Sequence, residues 1–247
     1  YEHIKNLGGG YVGVGTDQNF TFIAWARSEY AYLMDFDPVV VCINRIHLHF
    51  IDVSPDYPAF RKLWIPKDTS APLKLIQSHF RNDPDYRKIL EAYHIATGQW
   101  APVPWRLRTL EALTSKHSLE TFVNRKDDYD YIRALVKKGR IHAVPGNLNG
   151  LKTFMNINRA ARNLNIPIRV LYTSNAEDYF KSYSKEFRRN ILDMPVDDKG
   201  LVVRTCSVGA KKMGFPEGEL IPEKPYHYNI QPLKNMQGWM LLDSVQR

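Results

Sequence analysis

The sequence has little cysteine and no long apolar run. Only Cys42 and Cys206 occur in 247 residues. Two cysteines are too few for a disulfide framework, so we interpret both as buried thiols in a reducing compartment and expect a cytoplasmic protein. No stretch of about 18 uninterrupted apolar residues occurs, so we predict no transmembrane helix. Because the chain opens at Tyr1, a missing true start and a removed signal peptide both stay open.

The sequence also lacks the short motifs of several enzyme classes. It contains no P-loop, no G-x-S-x-G elbow, no H-E-x-x-H helix and no C-x-x-C pair. His47 and His49 lie only two residues apart, so they do not form the i, i+4 pair of a zinc-binding helix. We therefore predict no metal site. Internal repeats and low-complexity segments are absent as well.

The composition is that of a globular protein large enough for one large α/β core or two small ones. Hydrophobic residues make up 44% and aromatic residues 12% of the chain. The formal net charge of +8 suits an anionic partner, but the basic residues are spread over short groups. Nucleic-acid binding is therefore not favoured, and a small-molecule substrate is. The oligomeric state is left open by the sequence.

A glycine-containing turn near the start organises the first part of the chain. Residues 11–14 form a short β-branched and aromatic run that leads into a turn with Gly13 and Gly15. Helical spacing then relates Phe20, Ile23, Ala24 and Arg27. Glycines allow a ligand to approach the backbone, and a helix N-terminus offers free N–H groups. Strand, glycine turn and helix together predict the start of a nucleotide-binding βαβ unit.

The next apolar run supplies the acid that such a unit needs. Residues 31–36 form this run, and two carboxylates, Asp35 and Asp37, stand at its end. An acid about 20 residues after the glycines is placed to accept hydrogen bonds from ribose hydroxyls. The alternative interpretation is a plain tight turn, with Asp35 capping the following helix.

Further alternation of strands and helices predicts an α/β fold in one domain, residues 1–247. A helical block at about residues 54–126 interrupts it as an insertion, with an irregular stretch at 54–69 followed by three helices. Two late strands with no helix between them predict an antiparallel pair at a sheet edge. The later elements are predicted as strands 140–144, 167–172, 200–206, 226–231 and 238–242, and helices 127–139, 151–164 and 178–192.

Several polar residues are candidates for ligand contact at the ends of these strands. Asp17, Gln18 and Asn19 crowd the first turn, where helix capping is the alternative role. After the fourth strand, Asn175 could orient a substrate and Glu177 could serve as a base; N-capping by Ser174 or Asn175 is the alternative there.

Two residues of the later strands also stand out. His227 is a weak catalytic candidate, with an ordinary surface-strand histidine as the alternative. Arg204 lies on a strand that should be buried, so it needs a protein carboxylate or an anionic ligand as its partner.

The order of elements resembles that of the class I, seven-stranded, Rossmann-like S-adenosylmethionine-dependent methyltransferases. The resemblance implies a three-layer Rossmann-like, mostly parallel sheet with an antiparallel terminal strand pair. It also implies that Gly13 and Gly15 hold the methionine part of S-adenosylmethionine, that Asp35 binds its ribose, and that Gly146-Asn147 contacts its adenine. The stretch YVGVGTDQNFTFIA, with its MDFD strand end, is similar to uncharacterised bacterial proteins related to these enzymes.

The sequence departs from that family at two motifs. No acidic residue precedes the glycine turn on its strand, and residues 174–177 read Ser-Asn-Ala-Glu where methyltransferases acting on nucleic-acid amines often have Asp/Asn-Pro-Pro-aromatic. The second departure argues against nucleic-acid amines as the methyl acceptor.

Three functions follow as hypotheses. The first is an S-adenosylmethionine-binding methyltransferase-like protein with an unidentified, small-molecule acceptor. The second is a catalytically inactive binding module of that fold. The third is an NAD(P)-dependent oxidoreductase, against which the missing third glycine of the fingerprint, where Gln18 stands, and the late strand pair both argue.

Overall fold

A six-stranded sheet forms the centre of the protein in the computed structural model, which describes residues 1–180, 182–207 and 226–242. The strand order is β3-β2-β1-β4-β5-β6; the first five strands are parallel and β6 is antiparallel to β5. The α/β, mostly parallel prediction is confirmed. The strands are β1 (Gly10–Gly13), β2 (Tyr30–Asp35), β3 (Ile141–Pro145), β4 (Ile168–Ser174), β5 (Leu201–Ser207) and β6 (Tyr226–Pro232).

Two hydrophobic cores, one on each face of the sheet, give the fold its three layers. Side chains alternate along a strand, so Tyr11 belongs to one core and its neighbour Val12 to the other. The first core is covered by α1 (Gln18–Ala26), α2 (Pro38–Val53) and α7 (Lys126–Lys137). The second is covered by α8 (Lys152–Leu164), α9 (Lys185–Leu192) and α10 (Leu233–Met240). This arrangement is Rossmann-like.

Four further helices lie between α2 and α7. They are α3 (Tyr57–Trp64), α4 (Ser70–Phe80), α5 (Tyr86–Thr97) and α6 (Pro102–Lys116). Their buried side chains, such as Trp64 and Tyr93, belong to the same core as those of α1 and α2. The block therefore packs on the sheet-covering helices; its description as an insertion in a single domain stays a prediction.

The prediction of an irregular stretch at residues 54–69 is wrong, because α3 lies within it. Pro58 marked the segment as irregular, yet proline is tolerated in the first turn of a helix, where its missing N–H would have no partner. The Asp56 side chain caps this helix by accepting a hydrogen bond from the Ala59 N–H at 2.8 Å.

Two predictions near the C-terminus are also corrected. The strand predicted at 238–242 is largely helix α10, whose Leu233, Met236 and Met240 recur at helical spacing and bury one face. The antiparallel pair is therefore formed by β5 and β6. The helix predicted over 178–192 is a short 3-10 helix, Ala176–Tyr179, followed by α9, which begins at its Ser184 cap.

Two classes of feature are missing from the part of the chain that the structure describes. None of its helices is both long enough and apolar enough to cross a membrane. In the same residues, no group of three or more histidine, cysteine and acidic side chains is arranged to hold a metal ion.

Candidate functional site

A cavity of ≈ 560 Å³ opens at the carboxyl ends of β1, β2, β3 and β4. The chain passes from β1 to β2 over one face of the sheet and from β3 to β4 over the other, so β1 and β4 flank the switch point where open α/β sheets bind ligands. The lining residues are Val14, Gly15, Asp35, Phe36, Gly146, Asn147, Leu148, Asn149, Ser174, Asn175, Ala176, Tyr179 and Phe180.

The two glycines of the first turn have different roles. A Cβ at Gly13 would lie 2.0 Å from the Asn19 Oδ1 and 2.7 Å from the Tyr11 hydroxyl, so this glycine makes room for internal packing. Gly15 has φ +85°, a left-handed conformation that favours glycine, and a Cβ there would meet no atom within 4 Å. Gly15 is therefore the glycine that leaves its backbone open to a ligand in the cavity.

Asp35 lies at the cavity edge of β2, where the sequence placed it. Its Oδ2 accepts a hydrogen bond from the Gly15 N–H and its Oδ1 one from the Asp37 N–H, both at 3.0 Å. Burial raises the pKa of the Asp35 carboxyl, against the lowering effect of these N–H groups. The helix α2 is capped instead by Asp37, which accepts from the Val39 N–H. The alternative that Asp35 caps this helix is therefore wrong.

The other polar residues of the first turn shape it from inside and do not line the cavity. Asn19 is fully buried; it accepts from the Tyr11 hydroxyl and donates to the backbone carbonyls of residues 14 and 16. Asp17 is only 4% exposed and accepts hydrogen bonds from the Arg106 guanidinium and the Thr16 hydroxyl. Gln18 is half-buried at the start of α1.

The ion pair between Asp17 and Arg106 joins the turn to helix α6, across 89 residues of sequence. Burial alone would raise the pKa of Asp17, but the Arg106 guanidinium holds it below its ordinary value. Asn44 of α2 holds the turn from another side by donating to the Gly15 carbonyl at 2.8 Å. Sequence reasoning did not identify Asn44 or Arg106, because no local pattern marks such distant partners.

The loop after β3, which the resemblance assigns to adenine contact, also lines the cavity, with its two residues in separate roles. A Cβ at Gly146 would lie 2.7 Å from the Met34 sulfur, so Gly146 allows close packing between neighbouring strand ends. The Asn147 Oδ1 accepts from the Asn149 N–H at 2.8 Å, which fixes the loop as an Asx turn. One acceptor position of the Asn147 side-chain oxygen is therefore already used within the loop.

Two exposed aromatic rings at the cavity were not predicted. Phe36 is 79% exposed and follows Asp35; Tyr179 is 81% exposed and follows β4. Each ring lines the cavity, where it could stack on a planar ligand. For Phe36 the available signal is an aromatic residue immediately after a strand that ends in a carboxylate; Tyr179 lies at the end of the 3-10 helix, five residues after β4, and has no such signal.

The candidates after β4 separate into one cavity residue and one buried residue. Asn175 lines the cavity, next to Ser174, which has φ +52°. Glu177 is 3% exposed and faces inward, where it pairs with Arg204 at 2.9 Å. Of the two partners predicted for Arg204, a protein carboxylate or an anionic ligand, the structure shows a protein carboxylate, that of Glu177. This carboxylate does not line the cavity as a base would. The side chain of His227 lies outside the described residues.

The electrostatic character of the cavity is set by Asp35. Among the lining residues that the structure describes, Asp35 is the only carboxylate, and none is lysine, arginine or histidine. At the N-terminus of α1, where phosphate groups usually bind, the Asp17 carboxylate and the Arg106 guanidinium neutralise each other, and neither side chain lines the cavity. The site therefore suits a neutral or cationic ligand with hydroxyl donors and a planar ring better than a phosphorylated one.

Comparison with known proteins gives a family but no activity. A search of curated proteins finds no match to the chain. One family model, described as "Domain of unknown function (DUF7790)", matches residues 1–247. Because that match spans the whole sequence, the chain belongs to the DUF7790 family.

Proposed function

We propose that the protein binds S-adenosylmethionine in the cavity at the switch point and transfers its methyl group to a small-molecule acceptor. The observation that carries the proposal is the lining itself. It combines one carboxylate, several amides and exposed aromatic rings, with no basic side chain among its described residues. S-adenosylmethionine offers a ribose diol, a planar base and a sulfonium cation, each of which this lining suits.

Asp35 is the proposed ribose acceptor. Each of its oxygens already accepts one backbone N–H, and a carboxylate has about four acceptor positions, so capacity remains for two hydroxyl groups. The N–H groups also fix the carboxylate before any ligand arrives, which lowers the entropic cost of binding. Phe36 lies next to it, where its exposed ring could cover the base attached to the same ribose.

A dinucleotide fits this site less well. Its diphosphate would need the N-terminus of α1, where the N-cap residue Asp17 is buried and paired with Arg106, so that this helix end offers the cavity no basic side chain. The Gly15 N–H, which would otherwise face a phosphate, donates to Asp35. These two features disfavour the NAD(P)-dependent oxidoreductase hypothesis.

A non-catalytic binding module is the second candidate function. It is favoured by the inward orientation of Glu177, because Asp35 is then the only carboxylate that lines the cavity among the described residues. Methyl transfer depends mainly on alignment of the acceptor with the sulfonium, so a missing base does not by itself exclude catalysis.

Isothermal titration calorimetry tests the proposal. The purified chain is titrated with S-adenosylmethionine, S-adenosylhomocysteine, NAD and NADP. We expect the two methionine nucleosides to bind and the two dinucleotides not to bind. Selective binding of NAD or NADP would contradict the proposal. Binding of S-adenosylmethionine without methyl transfer to any compound of a metabolite extract would favour the binding module.

A further inference from the structure

The residues that follow β4 form one wall of the cavity. A buried carboxylate, that of Glu177, holds this wall although it does not line the cavity itself. The Glu177 side chain accepts four hydrogen bonds from three residues. The donors are the Thr173 hydroxyl at 2.9 Å, the Tyr183 hydroxyl at 2.5 Å, and the Arg204 Nε and Nη2, each at 2.9 Å. Such a fully occupied carboxylate is fixed from several directions.

These partners come from separate parts of the fold. Thr173 belongs to β4, Arg204 to β5, and Tyr183 to the segment before α9. The Arg204 guanidinium also lies 6.0 Å from the ring centre of Trp239 on α10. Glu177 therefore ties the 3-10 helix that contains it to the sheet and to the helical layer behind it.

The backbone close to Glu177 is strained, and the hydrogen bonds of Glu177 could hold it in this strained conformation. Ser174 has φ +52°, a left-handed conformation that costs a serine free energy. The pairing of β4 with β5 also steps between Tyr172 and Ser174, which marks an irregularity at Thr173. Strained residues persist where surrounding contacts over-determine them, and they concentrate at functional sites.

The residues on either side of Glu177 face the opposite way. Asn175 and Ala176 precede it and line the cavity, and Tyr179 follows it with its ring 81% exposed. We propose that Glu177, through its pair with Arg204, is a positioning residue that sets Asn175 and Tyr179 for the ligand of the cavity. This inference rests on the proposed function for the ligand's identity, but not for the rigidity of the wall.

Two measurements on Glu177→Gln test the proposal, with Asp128→Asn as the matched control. Asp128 is also a buried carboxylate, 1% exposed, that pairs with an arginine (Arg27, 2.9 Å), but it does not line or support the cavity. The first measurement is amide hydrogen exchange over residues 174–180 without ligand. The second is the dissociation constant for S-adenosylhomocysteine.

We expect Glu177→Gln to speed exchange over residues 174–180 and to weaken S-adenosylhomocysteine binding by about tenfold. Asp128→Asn should lower the melting temperature while leaving both quantities unchanged. Equal behaviour of the two variants in exchange and binding would overturn the proposal. If the wild-type chain binds no S-adenosylhomocysteine, the proposed function fails, and exchange over residues 174–180 still decides the positioning role.

A milder pair of variants covers the case in which Glu177→Gln does not fold, since it leaves Arg204 without its buried carboxylate. Tyr183→Phe removes the hydrogen bond to Glu177 and the one that Arg204 donates to the same hydroxyl at 3.3 Å, and it keeps the ion pair. Tyr93→Phe is its control, because this buried tyrosine donates its hydroxyl to the Leu63 carbonyl and neither residue lines the cavity. Faster exchange over residues 174–180 in Tyr183→Phe alone supports the proposal; unchanged exchange there overturns it.

Discussion

Two carboxylates lie near the edge of the sheet at which the parallel strands end. Their surroundings leave them with different numbers of hydrogen-bond acceptor positions for a ligand. Asp35, at the end of β2, faces the cavity and accepts two backbone N–H groups. Glu177, just after β4, faces inward and is enclosed by an arginine, a tyrosine and a threonine. Only Asp35 retains acceptor positions for a ligand, so position at a strand end does not by itself identify a binding acid.

The largest expected effect on ligand affinity comes from removing Asp35, the carboxylate that faces the cavity. Asp35→Ala should weaken S-adenosylhomocysteine binding by roughly 1–3 kcal/mol, because ribose hydroxyls would lose their acceptor. Asp37→Ala is the control; it removes the α2 cap and costs about 1 kcal/mol of stability, without touching the cavity. Calorimetric titration of both variants measures the difference. Equal affinity losses would mean that Asp35 acts only by holding the turn.

The pH dependence of binding sharpens the same comparison. Burial raises the pKa of Asp35, and its charged form is the better acceptor of ribose hydroxyls. Affinity should therefore be full at neutral pH and fall as pH decreases through this raised pKa, before an ordinary carboxyl would protonate. The Asp35→Asn variant should bind weakly at every pH tested. An affinity of the wild type that stays constant through the acid range in which the fold is intact would contradict this assignment.

A substitution at Gly15, next to Asp35 in the cavity, should have a smaller effect on ligand binding than Asp35→Ala. A Cβ meets no atom within 4 Å at Gly15 or at Gly139, and both residues have positive φ, +85° and +62°. Alanine at either position should cost stability by a similar amount, about 1–2 kcal/mol, because of the left-handed backbone. Only Gly15→Ala should also weaken ligand binding, since its methyl group would enter the space we assign to the ligand. Melting curves and titrations of both variants make the test.

Ser174 gives the smallest expected effect, on the Glu177 side. Ser174 and Ser118 have nearly equal φ, +52° and +51°, but only Ser174 lines the cavity. Glycine at either position relieves strain in the folded state and adds conformational entropy to the unfolded chain. Because both effects are the same at the two positions, the two variants should have melting temperatures similar to each other. Ser174→Gly should weaken S-adenosylhomocysteine binding about twofold by loosening the wall, and Ser118→Gly should not. Tighter binding by Ser174→Gly would contradict a positioning role for this wall.

Sequence periodicity predicted the parts of this molecule that local chemistry determines. The parallel strands β1, β2 and β4 are mostly buried apolar runs, and the spacing from Gly15 to Asp35 follows from one βαβ unit. Residues Gly15, Asp35, Gly146, Asn147 and Asn175 do line one cavity, as their positions after four different strands predict. Parallel strands bring their carboxyl ends to a single edge, which is why residues so distant in sequence could be grouped in advance.

The remaining parts depend on contacts that sequence spacing does not encode. Asp17 and Asn19 were predicted as ligand contacts, but Arg106 and the Tyr11 hydroxyl occupy them. Glu177 is predicted as a base because the sequence shows that it follows the end of a strand. The sequence does not show that its side chain points inward. Helix α10 was mistaken for a strand, since a segment of five residues is too short to separate the two periods.

The most direct test of the central claim is a calorimetric cycle that pairs Asp35 with the ribose. S-adenosylhomocysteine and its 2′-deoxy and 3′-deoxy analogues are titrated into the wild type and Asp35→Ala. We predict that at least one missing hydroxyl weakens binding to the wild type by about tenfold and has little effect in Asp35→Ala, because the lost partner is the same. Equal losses in both proteins, or no binding of S-adenosylhomocysteine to the wild type, would contradict the claim that Asp35 holds the ribose of a methionine nucleoside.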